Sequence, residues 1–481
     1  IVATGTASIA GGNVLTLAQN GIYAPQTLYT VLTANGGVSG TFANVTSSLT
    51  FLTPSLSYDA NDVFLTLSRS DTSLQSVAQT PNQRAVAGAL DASTQLNNPL
   101  MIAVLNQNAA GARQAFDALS GEVHASAQTA VLDDSRYLRD AVLGRLRQSS
   151  FAGSEGPMAA LASGGPQVAA TDSLAASSAL AYAGTNRPAF PVKALPPARP
   201  APLPETTFWT QGVGAWGHLD GDGNAARMTR DLAGFFSGVD HRFAPNWIAG
   251  IAGGYTSSTV RLSDRSSSAS IDTAHIAGYL GASYGAFNLR SGAAASFSTL
   301  DTSRSIIFPG FFDTARARYD ATTAQVFGEI GYGLSLGRVA LEPFAGLAWA
   351  HLDTGRFGET GGSGAAALVG ISNNQDVGYS TLGGRIATSF AVFNDMQLTP
   401  RASVAWQYAF GDVTPTAALA FQSIGTGFTV AGVPLARSTA LVEGGLDLRV
   451  TPQASVGIAY VGQLGDRVQD HSVKANFSWK F

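Results

Sequence analysis

From residue 472 to the last residue given, polar and apolar positions alternate strictly. Val473, Ala475, Phe477, Trp479 and Phe481 are apolar, while Ser472, Lys474, Asn476, Ser478 and Lys480 are polar. A period of two predicts an extended strand with one oily face and one wet face. In a soluble sheet, three aromatics along a final strand would make an adhesive edge. A closed barrel in a membrane supplies a place for the stripe and a neighbour for the edge.

The same alternation recurs from residue 206 onward. Val404, Trp406 and Tyr408 oppose Arg401, Ser403 and Gln407, and Val442, Leu446 and Val450 oppose Glu443, Asp447 and Arg449. Leu382 and Ile386 oppose Arg385; Val339 and Leu341 oppose Glu342; Val326 and Ile330 oppose Glu329; Phe287 and Leu289 oppose Arg290. Each run suffices for the ~9–11 tilted residues that cross a bilayer. The polar set Arg290, Glu329, Glu342, Arg385, Arg401, Glu443, Asp447 and Arg449 is therefore expected to face the barrel's wet interior. There it is either solvated or in contact with a threaded segment.

Short turns are expected near 244–246, 284–286, 336–338, 393–395 and 451–453. Longer loops are expected over 220–229, 263–268, 299–316, 353–378 and 411–435. Alternating short and long connections around about twelve strands is the pattern of an outer-membrane barrel, with both barrel ends on the periplasmic side. Trp209, Trp247, Trp349 and Trp479 fall near expected strand ends, where an aromatic girdle would sit. The fold class is all-β, an antiparallel transmembrane barrel.

Upstream the pattern changes three times. Residues 1–80 hold short alternating runs broken by turn residues, which predicts the end of a parallel β-helix or a small β-sandwich cap. Residues 81–148 are helical in pattern: Val131, Leu138, Val142 and Leu146 share one face, with Arg136, Arg139, Asp140 and Arg147 on the other. Residues 149–205 are Ala-, Ser- and Pro-rich and predict an extended linker. The 120–148 helix is the favoured candidate to thread the barrel, and the proline run is the alternative.

Composition narrows the chemistry. Of 481 residues, 45% are hydrophobic and 12% charged, yet no apolar run approaches the ~20 residues of a membrane helix. The apolar residues are dispersed, as alternating strands disperse them. A net charge of −4 gives no reason to expect nucleic acid, and the absence of cysteine excludes a disulfide scaffold and a thiolate metal site. The opening Ile-Val-Ala-Thr-Gly reads as the C-terminal part of a longer precursor. Asp220-Gly-Asp-Gly-Asn224 resembles part of a calcium loop but lacks its remaining ligands. No nucleophile stands with a recognisable base, so no enzyme, metal or cofactor is expected.

Particular stretches also resemble a known family. Tyr29-Thr-Val-Leu-Thr33, Gly40-Thr-Phe-Ala-Asn-Val45, Phe51–Tyr58 and Val63-Phe-Leu-Thr-Leu67, with Gly21-Ile-Tyr-Ala-Pro25 before them, are similar to the closing rungs of pertactin-like autotransporter passengers. Ser120–Ser126 and Asp133–Asp140 resemble the connector of that family. Phe208–Gly217, Gly238–His241, Gly278–Tyr284, Gly432–Arg437 and the Phe481 ending resemble its type V translocator barrel, over nearly all of 206–481. The resemblance implies an outer-membrane barrel, monomeric, that exports and displays its own N-terminal passenger. It also implies insertion by the barrel-assembly machinery with periplasmic chaperones, Phe477, Trp479 and Phe481 serving as the assembly signal. Two other roles remain open at this point: an outer-membrane channel, and an adhesin anchor whose role is set by the missing passenger. Some members cleave at an asparagine inside the barrel, and Asn97-Asn98 is not obviously placed for that.

Overall fold

The computed structural model describes residues 1–16, 23–152, 205–392 and 396–481. The body of the expected linker and the 393–395 turn lie outside the described residues, as does part of Gly21–Pro25.

Twelve antiparallel strands close into a barrel: β1 Glu205–Leu219, β2 Met228–Ala244, β3 Trp247–Leu262, β4 Ser267–Tyr284, β5 Phe287–Phe308, β6 Phe311–Tyr332, β7 Val339–Thr354, β8 Asn373–Thr388, β9 Gln397–Gly411, β10 Ser438–Arg449, β11 Ala454–Gly465 and β12 Val468–Lys480. Closure is made by β12 against β1, from Val468 opposite Leu219 to Lys480 opposite Thr207. Every strand thus has two neighbours, which leaves no unpaired edge in the membrane. The alternation reads correctly onto the outer face: Ile251, Leu347, Leu382, Val404, Ile458 and Trp479 all point outward and are exposed.

Two expectations about this face need correction. The expected loop over 299–316 is the continuation of β5 and β6, which run 22 residues each to a tip at Pro309 and Gly310. Inward Thr302, Arg304, Ile306 and Phe308 stay buried, while outward Asp301, Ser303 and Arg316 are polar. Polar residues take over most outward positions of this hairpin, with Ile307 and Phe312 exposed only near its tip, so the strand signal breaks while the strand continues. Trp209 does not join a lipid-facing girdle. It points inward, only 3% exposed, and its indole N–H donates to the Tyr279 hydroxyl at 2.7 Å.

On the outer side, the connections after β7 and β9 build a second sheet from Phe357–Gly358, Leu368–Gly370, Thr416–Phe421 and Gly427–Ala431. Three helices rest against this sheet: α1 Pro81–Asp91, α2 Pro99–Leu105 and α3 Ala109–Leu119. Each starts where its sequence says it should. Thr80 and Gln83 form a capping box ahead of α1, and Asn98 and Asn108 cap α2 and α3. Phe51, Leu67 and Leu74 from the N-terminal segment, Leu90, Met101 and Phe116 from the helices, and Phe308, Leu368 and Phe421 from the barrel's outer connections share one buried cluster.

The N-terminal residues wind as a parallel β-helix. Val2 faces Thr33, Ala7 faces Val38 and Asn13 faces Asn44, a constant offset of 31 residues in three parallel pairings. A constant offset is what one coil stacked on the next produces. The antiparallel hairpin Leu52–Tyr58 and Asp62–Arg69 ends the stack.

Gly121, with φ +63, turns the chain from α3 into α4, Glu122–Ala152. Helix α4 lies inside the barrel. At 31 residues it is about 46 Å long, longer than the ~30 Å hydrocarbon layer. Residues 122–139 are buried on all sides. The apolar-face and polar-face division expected for this helix is therefore not an inside-outside division, because the barrel wall surrounds both faces. The lumen is accordingly not simply wet. Leu138, Val142 and Leu146 pack on Val213, Leu232, Phe236, Ile248 and Phe327 of the wall.

Candidate functional site: the occupied lumen

The candidate site is the lumen with α4 inside it. At the outer mouth, Glu122 accepts the Ala226 N–H at 2.7 Å and Arg265 Nε at 2.9 Å. His124 Nε2 lies 2.8 Å from Glu359, whose carboxylate also takes both guanidinium arms of Arg304 at 2.7 and 2.6 Å. Burial raises the Glu359 carboxyl, but the Arg304 guanidinium and the His124 contact outweigh it and hold the group down at about 2.

Deeper in, Arg230 of β2 meets Asp133 at 2.5 Å and Asp134 at 2.7 Å, and reaches Asp470 of β12 at 2.5 Å. Asp470 also accepts Arg136 at 2.5 Å and the Tyr137 hydroxyl at 3.0 Å. Ser258 donates to Asp134 at 2.8 Å. Nearer the periplasmic end, Lys474 faces Asp140 at 3.6 Å, and Arg145 grips Asp240 in a two-armed contact of 2.6 and 2.8 Å. Arg147 donates to Glu329 at 2.6 Å. Charge-assisted, two-armed pairs of this kind fix direction as well as distance.

Arg290, Glu329, Glu342 and Arg385 form one wall network at 2.6–3.0 Å, and Arg147 of the helix joins it. Arg401 pairs with Glu443 and with Asp447, the latter at 2.7 Å, and Gln148 of α4 reaches Asp447 at 3.4 Å. Arg449 is exposed at the periplasmic rim, beside Gln397 and Ser455. A 680 Å³ cavity opens there beneath the helix, with Arg449, Lys474 and Asp447 in its lining.

Sequence reasoning missed Arg230, Asp240, Arg265, Arg304, Glu359, Asp470 and Lys474 as candidate lumen residues. For Lys474 and Asp470 a signal existed, since the even, inward phase of β12 runs unbroken back to Val468. Arg230 and Asp240 sit on an inward phase shared with Met228, Leu232 and Phe236. That phase is oily because it faces a helix, so it did not read as lumen.

On the terminal strand, Trp479 and Phe481 are exposed and outward and Phe477 is half-buried, while the Phe481 N–H donates to Thr206 at 2.8 Å. Asp222 of the calcium-like stretch accepts the Asn224 and Ala225 N–H groups at 3.0 and 2.9 Å, and Asn224 binds Asn82 of α1. Asn98 caps α2 outside the barrel. Two stretches carry the Gly-x-Ser-x-Gly spacing of a nucleophile elbow, Gly281–Gly285 and Gly333–Gly337. Both lie at strand ends leading into hairpin turns rather than at a strand-to-helix turn. Ser283 donates to Asn288 at 2.9 Å, not to a histidine.

The family match agrees with the geometry. Residues 208–461 match the family model described as autotransporter beta-domain. An extracellular serine protease of Serratia marcescens is 30% identical over 494 residues, covering 94% of this chain and 43% of that protein. A second Serratia marcescens extracellular serine protease is 29% identical with the same coverage. The chain thus spans less than half the length of these relatives. Among solved structures, the translocator domain of autotransporter NalP from Neisseria meningitidis is similar at a TM-score of 0.45 and 15% identity, over 58% of this chain and 88% of that one. The beta domain of the Bordetella autotransporter Brka gives 0.43 and 17%, over 57% and 98%. With its barrel matched across more than half of its residues, the chain belongs to the autotransporter family, and that barrel is an outer-membrane translocator.

Proposed function

We propose that the chain exports its own N-terminal segment and holds the end of that segment at the cell surface. The observation that supports this best is the path from the β-helix, through the lid that α1–α3 form on the outer connections, into the lumen. The β-helical coil runs into α1–α3, which rest on the outer connections, and α4 then descends through the barrel toward the rim where β1 begins. A passenger that had left through the barrel, with its last helix still inside, has this arrangement. The translocator itself is not catalytic. The protease activity named for the Serratia marcescens relatives is theirs as whole proteins, of which this chain spans 43%.

We further assign Phe477, Trp479 and Phe481 to recognition by the barrel-assembly machinery, supported by their place on the closing strand and the exposure of Trp479 and Phe481. The lumen-facing set anchors α4 through Glu329 and Asp447, and Arg449 remains at the rim. The absence of cysteine makes the export test clean. A single cysteine at exposed Asn61 should react with a membrane-impermeant maleimide on intact cells. Labelling seen only after the outer membrane is permeabilised would overturn the export reading and favour a channel with a periplasmic N-terminal part.

A further inference from the structure

The charges that meet inside the barrel lie at two separate depths along its axis. In the outer half, helix acids face wall cations, Glu122 with Arg265 and Asp133 and Asp134 with Arg230, with helix Arg136 on wall Asp470 beside them. Near the periplasmic end the signs exchange, with Arg145 on Asp240 and Arg147 on Glu329. From Asp133 to Arg145 the helix rises about 18 Å. The two sets therefore hold it at two well-separated depths.

The small side chains of the same interface are a poor axial ruler, although Leu138, Val142 and Leu146 also pack on Leu232, Phe236 and Phe327. Ala127, Ala130 and Ala141 of the helix meet a bore that includes Ala215, Ala252, Ala269, Ala277 and Ala317. Small side chains make a smooth contact that loses little when the helix slides, whereas directional ion pairs lose their partners at once. A slip of one turn, about 5.4 Å, takes both sets out of reach together. Further outward travel also carries Arg145 and Arg147 toward Arg230, Arg265 and Arg304.

We propose that these two sets, Arg230 with Asp133 and Asp134, and Asp240 and Glu329 with Arg145 and Arg147, form an electrostatic stop. The stop arrests the exported chain with α4 at one axial position. This rests on the export reading above. The wall residues act as positioning residues: they set where the moving chain halts.

The test uses the full chain in the outer membrane. A Cβ placed on Gly281 lies 3.0 Å from Leu146 Cδ2 and 3.9 Å from its Cγ, so Leu146→Cys with Gly281→Cys reports the seated register. This pair should form a disulfide in the otherwise unaltered chain. Adding Arg145→Gln and Arg147→Gln should lower the yield about tenfold or more, since it leaves buried Asp240 without its guanidinium and cuts the helix loose from Glu329, which keeps only Arg290 and Arg385 of the wall. Exchanging the charges with Arg145→Glu and Asp240→Arg should retain the cross-link, with folded barrel scored by its heat-modifiable gel band. An undiminished yield in the Gln pair overturns the stop, as does a folded swap without cross-link. If the swap fails to fold, the Gln pair decides alone. Surface labelling at Asn61 is scored in the same cells, so a failed export reading shows itself separately from a failed stop.

Discussion

Asp470 illustrates how much one lumen carboxylate carries. It accepts two guanidinium groups and a phenol, all buried, and it links β12 to β2 and to α4. Asp470→Asn keeps the shape but leaves Arg136 and Arg230 short of a counter-charge, a loss of about 3–5 kcal/mol for a buried pair. The temperature at which the folded gel band disappears should fall clearly below that of the parent chain, while Arg449→Ala at the exposed rim should leave it unchanged. Equal midpoints for Asp470→Asn and the parent would show that the network is not anchoring the helix. Which way the alternating residues of β5 to β12 point was legible at this scale, since alternation orients a strand, whereas Trp209 of β1 was expected in the outer girdle and points inward. What each inward charge touches was not. Glu329 has partners on β5, β8 and α4, separated from it by as much as 182 residues, and no local pattern encodes such a meeting.

At the scale of elements, the outer lid is a joint structure. The buried cluster draws on β-helix, helices and barrel connections together, and Arg304 and Glu359 lie beneath it beside His124. Glu359 has its folded carboxyl value lowered from 4.5 to about 2. Its contribution is therefore fully present above about 4.5 and is lost as pH falls toward 2. The groups facing it are Arg304 and His124, with Tyr319 behind at 3.3 Å from the imidazole. Limited proteolysis should find the 49–119 lid resistant at pH 7 and increasingly cut between pH 4.5 and 2, before the barrel's gel band is lost. Arg304→Ala should bring the same sensitivity at neutral pH. A lid equally resistant at both ends of that range would remove Glu359 from its support. The helical character of 81–148 was legible here, whereas the outer hairpin was mistaken for a loop because outward Asp301, Ser303 and Arg316 are polar.

For the whole molecule, α4 decides whether the barrel is a pore. With the helix seated, the apolar clusters and ion pairs close the lumen between the outer mouth and the periplasmic cavity. Deleting residues 122–148 should turn a poorly conducting barrel into an open one in planar bilayers. Equal conductance with and without the helix would argue that the lumen conducts around it. Removal of Phe481 should leave the folded barrel's stability nearly intact but slow its insertion, read as accumulation of unfolded chain in pulse-chase. The isolated 205–481 barrel should require detergent, since Ile251, Leu347, Leu382 and Val404 leave an apolar belt exposed.

Periodicity by itself gave about twelve barrel strands and the inward and outward faces of most of them, though it missed the strand extension over 299–316 and the inward Trp209. These follow from local geometry, because a strand repeats every two residues and a helix every 3.6. Tertiary structure decided what fills the barrel. A helix placed in the lumen makes inward wall residues such as Leu232, Phe236 and Phe327 oily, pairs Arg230 and Asp240 with charges 96 and 95 residues away, and buries both faces of an amphipathic segment. Those outcomes depend on which surfaces meet after closure, and that information is spread over the whole chain rather than written in any one stretch of it.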